Sequence, residues 1–159
     1  VNSTKDVEDL LVELRKWEAI DKLGIILKIE TRQAFDNLKD LLLVAMQVNC
    51  IGVMIARGDL AVEAGWDNIG KVQHAIVNGC GAAHVPVIWA TQVLENMAKN
   101  GLPSRSEITD VTNSLQTECV MLNKGPFMND VLQLLNIILS DMEHVQEKTE
   151  TMLPRIKKL

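Results

Sequence analysis

The chain has 159 residues, of which 47% are hydrophobic and 23% are charged, which is the composition of a globular protein with a sizeable core. Its net charge of -5 leaves no broad basic surface, and this argues against nucleic acid as a partner. The longest unbroken apolar run, 41–46, is far shorter than the roughly 20 residues of a membrane span, and no signal-peptide pattern opens the chain. We therefore expect a protein that is neither secreted nor embedded in a membrane.

The three cysteines, Cys50, Cys80 and Cys119, are an odd number and contain no Cys-x-x-Cys pair. This pattern argues against a disulfide framework and against a zinc site, and it predicts a reducing, cytoplasmic location. The first residue is Val1 rather than Met, and it leads directly into a helix-start signal. We expect a fragment of a longer protein.

The chain begins with a predicted helix, in which Ser3 is the cap and Asp6 stands three residues on. Four short apolar, β-branched runs follow, beginning at residues 25, 52, 86 and 119, so that successive starts lie 27, 34 and 33 residues apart. None of them alternates cleanly, which is typical of parallel strands covered on both faces. The spacing is close to the roughly 31 residues of one unit in an eight-unit barrel of about 250 residues. These runs predict an α/β fold, half of a (β/α)8 TIM barrel with four parallel strands and flanking helices.

Helical patterns separate and follow the predicted strands. An apolar stripe from residue 129 onward is the longest, with Val131, Leu134, Leu135, Ile138, Met142 and Val145 on one face. Three other predicted helices cover residues 38–47, 93–98 and 106–116, and one more begins at residue 67.

Four strands do not close a barrel that needs eight, and an open sheet leaves strand edges and an inner face uncovered. The chain therefore needs a complement. A missing N-terminal half, a second copy of the chain or an irregular internal contact would each supply one, and the sequence leaves these three open.

Polar residues at the ends of the predicted strands are the candidates for chemistry, because active sites of such barrels lie at the carboxyl ends of the strands. Lys28 and Glu30 are two residues apart, so an extended chain projects both to one face. Gly58 and Asp59 follow the second strand, where a glycine allows close backbone approach and free amides can bind an anion. Glu30 and Asp59 would suffice for Mg²⁺, which takes one or two carboxylates. An ordinary salt bridge would also explain Lys28 and Glu30, and an ordinary turn would also explain Gly58 and Asp59.

Four segments in order resemble the pyruvate kinase family. They are Ile-Ile-Leu-Lys-Ile-Glu at 25–30, Gly-Val-Met-Ile-Ala-Arg-Gly-Asp-Leu at 52–60, Pro-Val-Ile-Trp-Ala-Thr-Gln at 86–92 and Pro-Ser-Arg-Ser-Glu-Ile-Thr-Asp at 103–110. The later segment Cys-Val-Met-Leu-Asn-Lys-Gly-Pro at 119–126 is similar to a bacterial pyruvate-kinase-like branch. The resemblance implies that residues 1–159 form the C-terminal half of the catalytic barrel, with the lid domain and the first strands outside this chain.

The resemblance also implies an activity and its residues. The reaction is phosphoryl transfer from phosphoenolpyruvate to ADP, which gives pyruvate and ATP with Mg²⁺ as cofactor. Lys28 matches the lysine that neutralises the phosphoryl group in transfer, and Glu30 and Asp59 match the metal ligands. The amides of Gly58 and Asp59 match those that hold the substrate carboxylate. Thr91 matches a hydroxyl near that carboxylate and the path of proton delivery.

The chain departs from the family pattern after its fourth strand. Asn123-Lys124-Gly125 stands where the familiar enzyme has Ser-Gly-Glu, a stretch that helps to deliver the proton. The resemblance implies K⁺ as well, but it places the potassium site, a phosphate-binding arginine and the lid in sequence outside this chain. We expect the isolated chain to be incomplete and inactive, and to form a homo-oligomer or to pair with the missing barrel half.

Two other functions fit the same residues. A magnesium-dependent lyase or aldolase that forms the pyruvate enolate also uses a Glu and Asp pair, and its turnover would not need a nucleotide. A non-catalytic assembly module would use the open half-barrel face to dock a partner. Among the remaining candidates we interpret Trp17, Trp66 and Trp89 as packing anchors, Arg57 as a structural contact across the barrel mouth or between subunits, and Ser106 as a helix cap.

Overall fold

The computed structural model of the chain describes the backbone of residues 1–151 and the side chains of residues 1–142. Four strands alternate with helices along this part of the chain, as the sequence predicts. The elements are α1 (Thr4–Lys16), β1 (Ile25–Ile29), α2 (Arg32–Asp36), α3 (Leu38–Ala45), β2 (Ile51–Ala56), α4 (Arg57–Ala64), α5 (Ile69–Ala82), β3 (Val87–Val93), α6 (Glu95–Asn100), α7 (Arg105–Ser114), β4 (Cys119–Leu122) and α8 (Met128–Thr151).

The four strands form one parallel sheet in the order β1-β2-β3-β4. The pairing places Lys28 opposite Met54, and Ala56 opposite Ala90. Each strand therefore lies beside the next one in sequence, as in a (β/α)8 barrel, whereas a doubly wound sheet would reverse its order part-way. The predicted α/β fold with a partial barrel is confirmed.

The chain divides into two compact units, and each is described by itself. The first unit comprises residues 1–92 and 116–122, and the second comprises residues 93–115 and 123–159. The core of the first unit lies between the sheet and its helices, where Leu41, Val53 and Ile55 are fully buried. Helix α5 packs on β2 and presents Val72, Ile76 and Cys80 to this core.

Two strands differ from the predicted burial on both faces. In β1 the buried side chains of Ile25, Leu27 and Ile29 alternate with exposed Ile26 and Lys28, and in β4 no side chain is fully buried. One face of β1 is therefore open to solvent. An open inner face is what four strands of an eight-stranded barrel leave.

The helix starts in the first unit follow local capping chemistry. Ser3 and Asp6 form the predicted capping box at the start of α1, in which each side chain accepts a backbone N–H of the other residue. The helix predicted at 38–47 is α3, which ends two residues earlier, at Ala45. Helices α2 and α4 are additional to the prediction, and α4 starts directly where β2 ends.

The second unit corrects two predicted boundaries. The helix predicted at 93–98 is wrong at its start, because β3 continues through Val93 and α6 begins only at Glu95 after a left-handed Leu94. Ser104, and not Ser106, caps α7, and it shares a capping box with Glu107. The last helix begins at Met128, close to the predicted start, and the predicted stripe position Val145 lies outside the described side chains.

The three tryptophans do not share one role. Trp89 is 2% exposed and packs in the core of the first unit, as predicted. Trp17 and Trp66 are 74% and 76% exposed, so the prediction that they anchor packing is wrong for the described structure. Each lies just beyond the end of a helix, where one side of the ring has no covering layer.

Candidate active site

All five predicted site residues lie in the first unit, at the carboxyl ends of three neighbouring strands. They are Lys28 and Glu30 at the end of β1, Gly58 and Asp59 after β2, and Thr91 near the end of β3. Because the strands are parallel and paired in register, these ends lie along one edge of the sheet.

Lys28 and Glu30 form an ion pair at the end of β1. The lysine side chain is 50% exposed and the glutamate side chain is 32% exposed, so the pair is open to solvent. The hydrogen bond to Glu30 raises the pKa of Lys28, and the negative charges of Glu30 and Asp59 act in the same direction. The same hydrogen bond lowers the pKa of Glu30. Lys28 is therefore held as a cation, in the field of two carboxylates from neighbouring strands.

The first turn of α4 supplies the backbone amides of the site. Gly58 and Asp59 are its second and third residues, where N–H groups have no partner within the helix. The N–H of Gly58 donates to Oγ1 of Thr91 at 3.0 Å. A Cβ on Gly58 would lie 3.7 Å from that oxygen, which is ordinary van der Waals contact.

Thr91 occupies an unusual backbone conformation that sequence reasoning missed. Its φ is 67°, and Gln92 follows with a φ of 58°, both in the left-handed region that non-glycine residues seldom adopt. Arg57 contacts this segment: Nε donates to the carbonyl of Ala90 at 2.8 Å, and Nη2 donates to the carbonyl of Thr91 at 2.7 Å. The predicted structural role of Arg57 thus takes the form of a contact within the chain, from the first residue of α4 to β3.

The donor set at the strand ends fits a hard divalent cation. Glu30 and Asp59 offer carboxylate oxygens, and Mg²⁺ binds through one or two carboxylates with water and substrate oxygens completing its shell. Among the described residues no group of three or more His, Cys, Asp or Glu side chains could hold a metal by itself. Glu30 and Asp59 are thus the two carboxylates of this sheet edge that could contribute to such a site.

The stretch after β4, where the sequence departs from the family pattern, lies in the second unit. Steric crowding explains why position 125 in this stretch is glycine. A Cβ on Gly125 would lie 2.5 Å from the carbonyl carbon of Ala98 and nearer still to its oxygen. That oxygen already accepts the N–H of Phe127 at 3.2 Å. Position 125 therefore has no room for a side chain, and a glutamate does not fit there.

The comparisons with known proteins agree with this geometry. The family model for the pyruvate kinase barrel domain matches residues 1–126. The chain belongs to the pyruvate kinase family. A pyruvate kinase of Dictyostelium discoideum is 39% identical over 134 residues, which is 80% of this chain and 25% of that protein. A pyruvate kinase of Debaryomyces hansenii is 40% identical over 136 residues, covering 80% of this chain and 26% of the relative. A pyruvate kinase of Bacillus licheniformis is 32% identical and matches 100% of this chain but 27% of its own length.

The chain thus spans about a quarter of the length of the pyruvate kinases that it matches. In the part of the chain that the structure describes, no helix has both the length and the apolar character needed to cross a membrane.

Proposed function

We propose that this chain supplies the metal-binding and substrate-carboxylate side of a pyruvate kinase active site, which transfers a phosphoryl group from phosphoenolpyruvate to ADP. The observation that carries the proposal is the ion pair of Lys28 and Glu30 beside Asp59, at the carboxyl ends of adjacent parallel strands. Membership of the pyruvate kinase family supports it.

Lys28 would act as a fixed cation and not as a base. Its ammonium is protonated at neutral pH, and the hydrogen bond to Glu30 raises its pKa further, so it can neutralise charge on the phosphoryl group while the group moves. Glu30 and Asp59 would hold Mg²⁺, which when bound stabilises negative charge on the phosphate and the enolate oxygen. The resemblance implies K⁺ too, with its site in sequence outside this chain.

Gly58, Asp59 and Thr91 would bind the carboxylate of the substrate. The amides of the first turn of α4 point along the helix axis toward the sheet edge, where the partial positive charge of the helix end favours an anion. The Thr91 hydroxyl accepts the N–H of Gly58 at 3.0 Å, so its own O–H would donate to the carboxylate, and the Gly58 N–H would be shared between the two acceptors. Orientation of the substrate by these groups is what the reaction needs from the protein, because most of the catalysis is positioning and charge stabilisation.

Residues 1–159 would form the C-terminal half of the catalytic barrel. The open face of β1 and the four-strand sheet support a complement of further strands, from the rest of a longer chain or from a second copy. The three cysteines are free thiols, which suits a reducing cytoplasm.

The test is a complementation assay. The chain is produced together with the N-terminal portion of a pyruvate kinase barrel, and pyruvate formation is followed from phosphoenolpyruvate, ADP and Mg²⁺. Lys28→Met should reduce the rate by at least about 100-fold, the size of one preorganised electrostatic contact. Lys39→Met is the matched control, because Lys39 is an exposed lysine on α3 and should leave the rate unchanged.

Three results would contradict the proposal. An unchanged rate in Lys28→Met would remove the assigned role of that residue. Turnover of an oxo-acid without ADP, abolished by Glu30→Ala, would instead indicate the lyase or aldolase. A stable oligomer in sedimentation with no Mg²⁺ binding by titration would indicate the assembly module.

A further inference from the structure

The end of β3 contains two consecutive residues in a conformation that sterics disfavour. Thr91 and Gln92 both have positive φ, although neither is glycine. For residues with a Cβ this region is crowded, and it persists only where the surrounding structure holds it. The side chain of Gln92 is exposed, so the constraint on this segment comes from contacts of its neighbours.

Arg57 makes several of these contacts with one rigid group. Two nitrogens of its guanidinium donate to the successive carbonyls of Ala90 and Thr91, at 2.8 and 2.7 Å. Its Cζ also lies 4.5 Å from the centre of the Trp89 ring, which is buried. A planar group with a fixed arrangement of donors can hold two adjacent carbonyls and stack on a ring at once, whereas the single ammonium of lysine cannot.

The side chain of Thr91 contacts the residue next to Arg57. While Arg57 holds the carbonyl of Thr91, the threonine hydroxyl accepts the N–H of Gly58, the residue that follows Arg57 in the chain. Thr91 is thus held at two groups: Arg57 binds its carbonyl, and the backbone of Gly58 binds its hydroxyl.

We propose that Arg57 is a positioning residue, which holds the end of β3 in its left-handed conformation so that the Thr91 hydroxyl faces the first turn of α4. Its effect on substrate rests on the proposed function and acts only through Thr91 and Gly58. The positioning itself is a property of the folded chain and does not depend on which reaction the site performs.

The decisive measurement is hydrogen exchange at the Gly58 amide, by nuclear magnetic resonance on the full chain. Arg57→Lys and Arg57→Gln should both accelerate this exchange by at least about 10-fold, because the Thr91 hydroxyl is no longer held against the amide. Thr91→Val should accelerate it as well, since it removes the acceptor directly. Arg15→Lys is the matched control at an exposed arginine of α1 and should change nothing at Gly58.

Two readouts separate positioning from a general loss of fold. The far-ultraviolet circular dichroism spectrum of each variant reports whether the fold is intact. Methylguanidinium added to Arg57→Ala should restore protection at Gly58, and it should restore nothing in Thr91→Val. Unchanged Gly58 exchange in both Arg57→Lys and Arg57→Gln would overturn the proposal.

Kinetics in the complemented barrel add a second arm. Arg57→Lys should raise KM for phosphoenolpyruvate by at least about 10-fold, and adding it to Thr91→Val should cause no further change, because both act on one contact. Additive effects in the double variant would contradict action through Thr91. If the complemented barrel shows no phosphoryl transfer at all, the proposed function fails, and Gly58 exchange still decides the role of Arg57.

Discussion

Gly125→Ala tests the steric account of the segment after β4. The added methyl group would meet the backbone of Ala98 at 2.5 Å from its carbonyl carbon, well inside normal contact, and no side-chain rotation can relieve a clash with main chain. Overpacking of this kind costs about 1–3 kcal/mol. Displacement of the Ala98 carbonyl would also break its hydrogen bond from Phe127, worth about 1 kcal/mol. We expect a total loss of about 2–4 kcal/mol in the free energy of unfolding.

The assay is urea unfolding followed by circular dichroism, with Gly81→Ala as a matched control. Gly81 lies within α5, and a Cβ there would have nothing within 4 Å. Since alanine is the better helix former, this second substitution should stabilise the protein by up to about 1 kcal/mol. The two Gly→Ala changes therefore differ in sign.

The steric reasoning would be refuted if Gly125→Ala stayed within about 0.5 kcal/mol of the unsubstituted protein, a range typical of neutral surface changes. It would also be refuted if Gly81→Ala destabilised the protein as much as Gly125→Ala, because the loss would then follow from removing any glycine.

Three further results are expected. Glu107→Gln should cost about 1–3 kcal/mol at pH 7, because the buried carboxylate accepts the N–H groups of Asn96 and Ser104. Burial opposes ionisation, but these hydrogen bonds lower the pKa of Glu107 overall. The advantage over Gln is therefore present above the ordinary value of 4.5 and is lost as the pH falls through the lowered pKa. Glu95→Gln is the control, and a difference in urea unfolding that does not shrink as the pH falls below 4.5 would contradict this. Burial, with the negative charge of Glu118 nearby, raises the pKa of Cys80 to about 11. Iodoacetamide at pH 8 should therefore label only exposed Cys50 and Cys119 in the native protein. Labelling of a third cysteine before unfolding would show that Cys80 is not buried. Replacing Trp17 and Trp66 by Phe should change the stability by less than about 0.5 kcal/mol and leave blue-shifted emission from Trp89, whereas red-shifted emission would place Trp89 in water.

Local chemistry made much of the fold predictable. The strands arise from short β-branched apolar runs, and β1 and β4 begin at residues 25 and 119, as predicted. The capping box of α1 follows from Ser3 and Asp6, which are three residues apart and need no distant partner. The ion pair at the end of β1 follows from the period of two in an extended chain, which places Lys28 and Glu30 on one face.

Features that depend on distant contacts were not predictable in this way. The segment from Val93 onward has a helical composition, yet β3 continues to Val93 after the left-handed residues Thr91 and Gln92, and α6 begins only at Glu95. Those conformations are tied to Arg57, 34 residues earlier in the chain. Helix α4 starts at that same arginine without a loop, and its weak apolar stripe gave no periodic signal.

The ion pair at the end of β1 places one cation beside two carboxylates at the sheet edge. In the proposed function it holds the ammonium of Lys28 at the strand end before substrate arrives, so the cation that would neutralise the phosphoryl group is already in place.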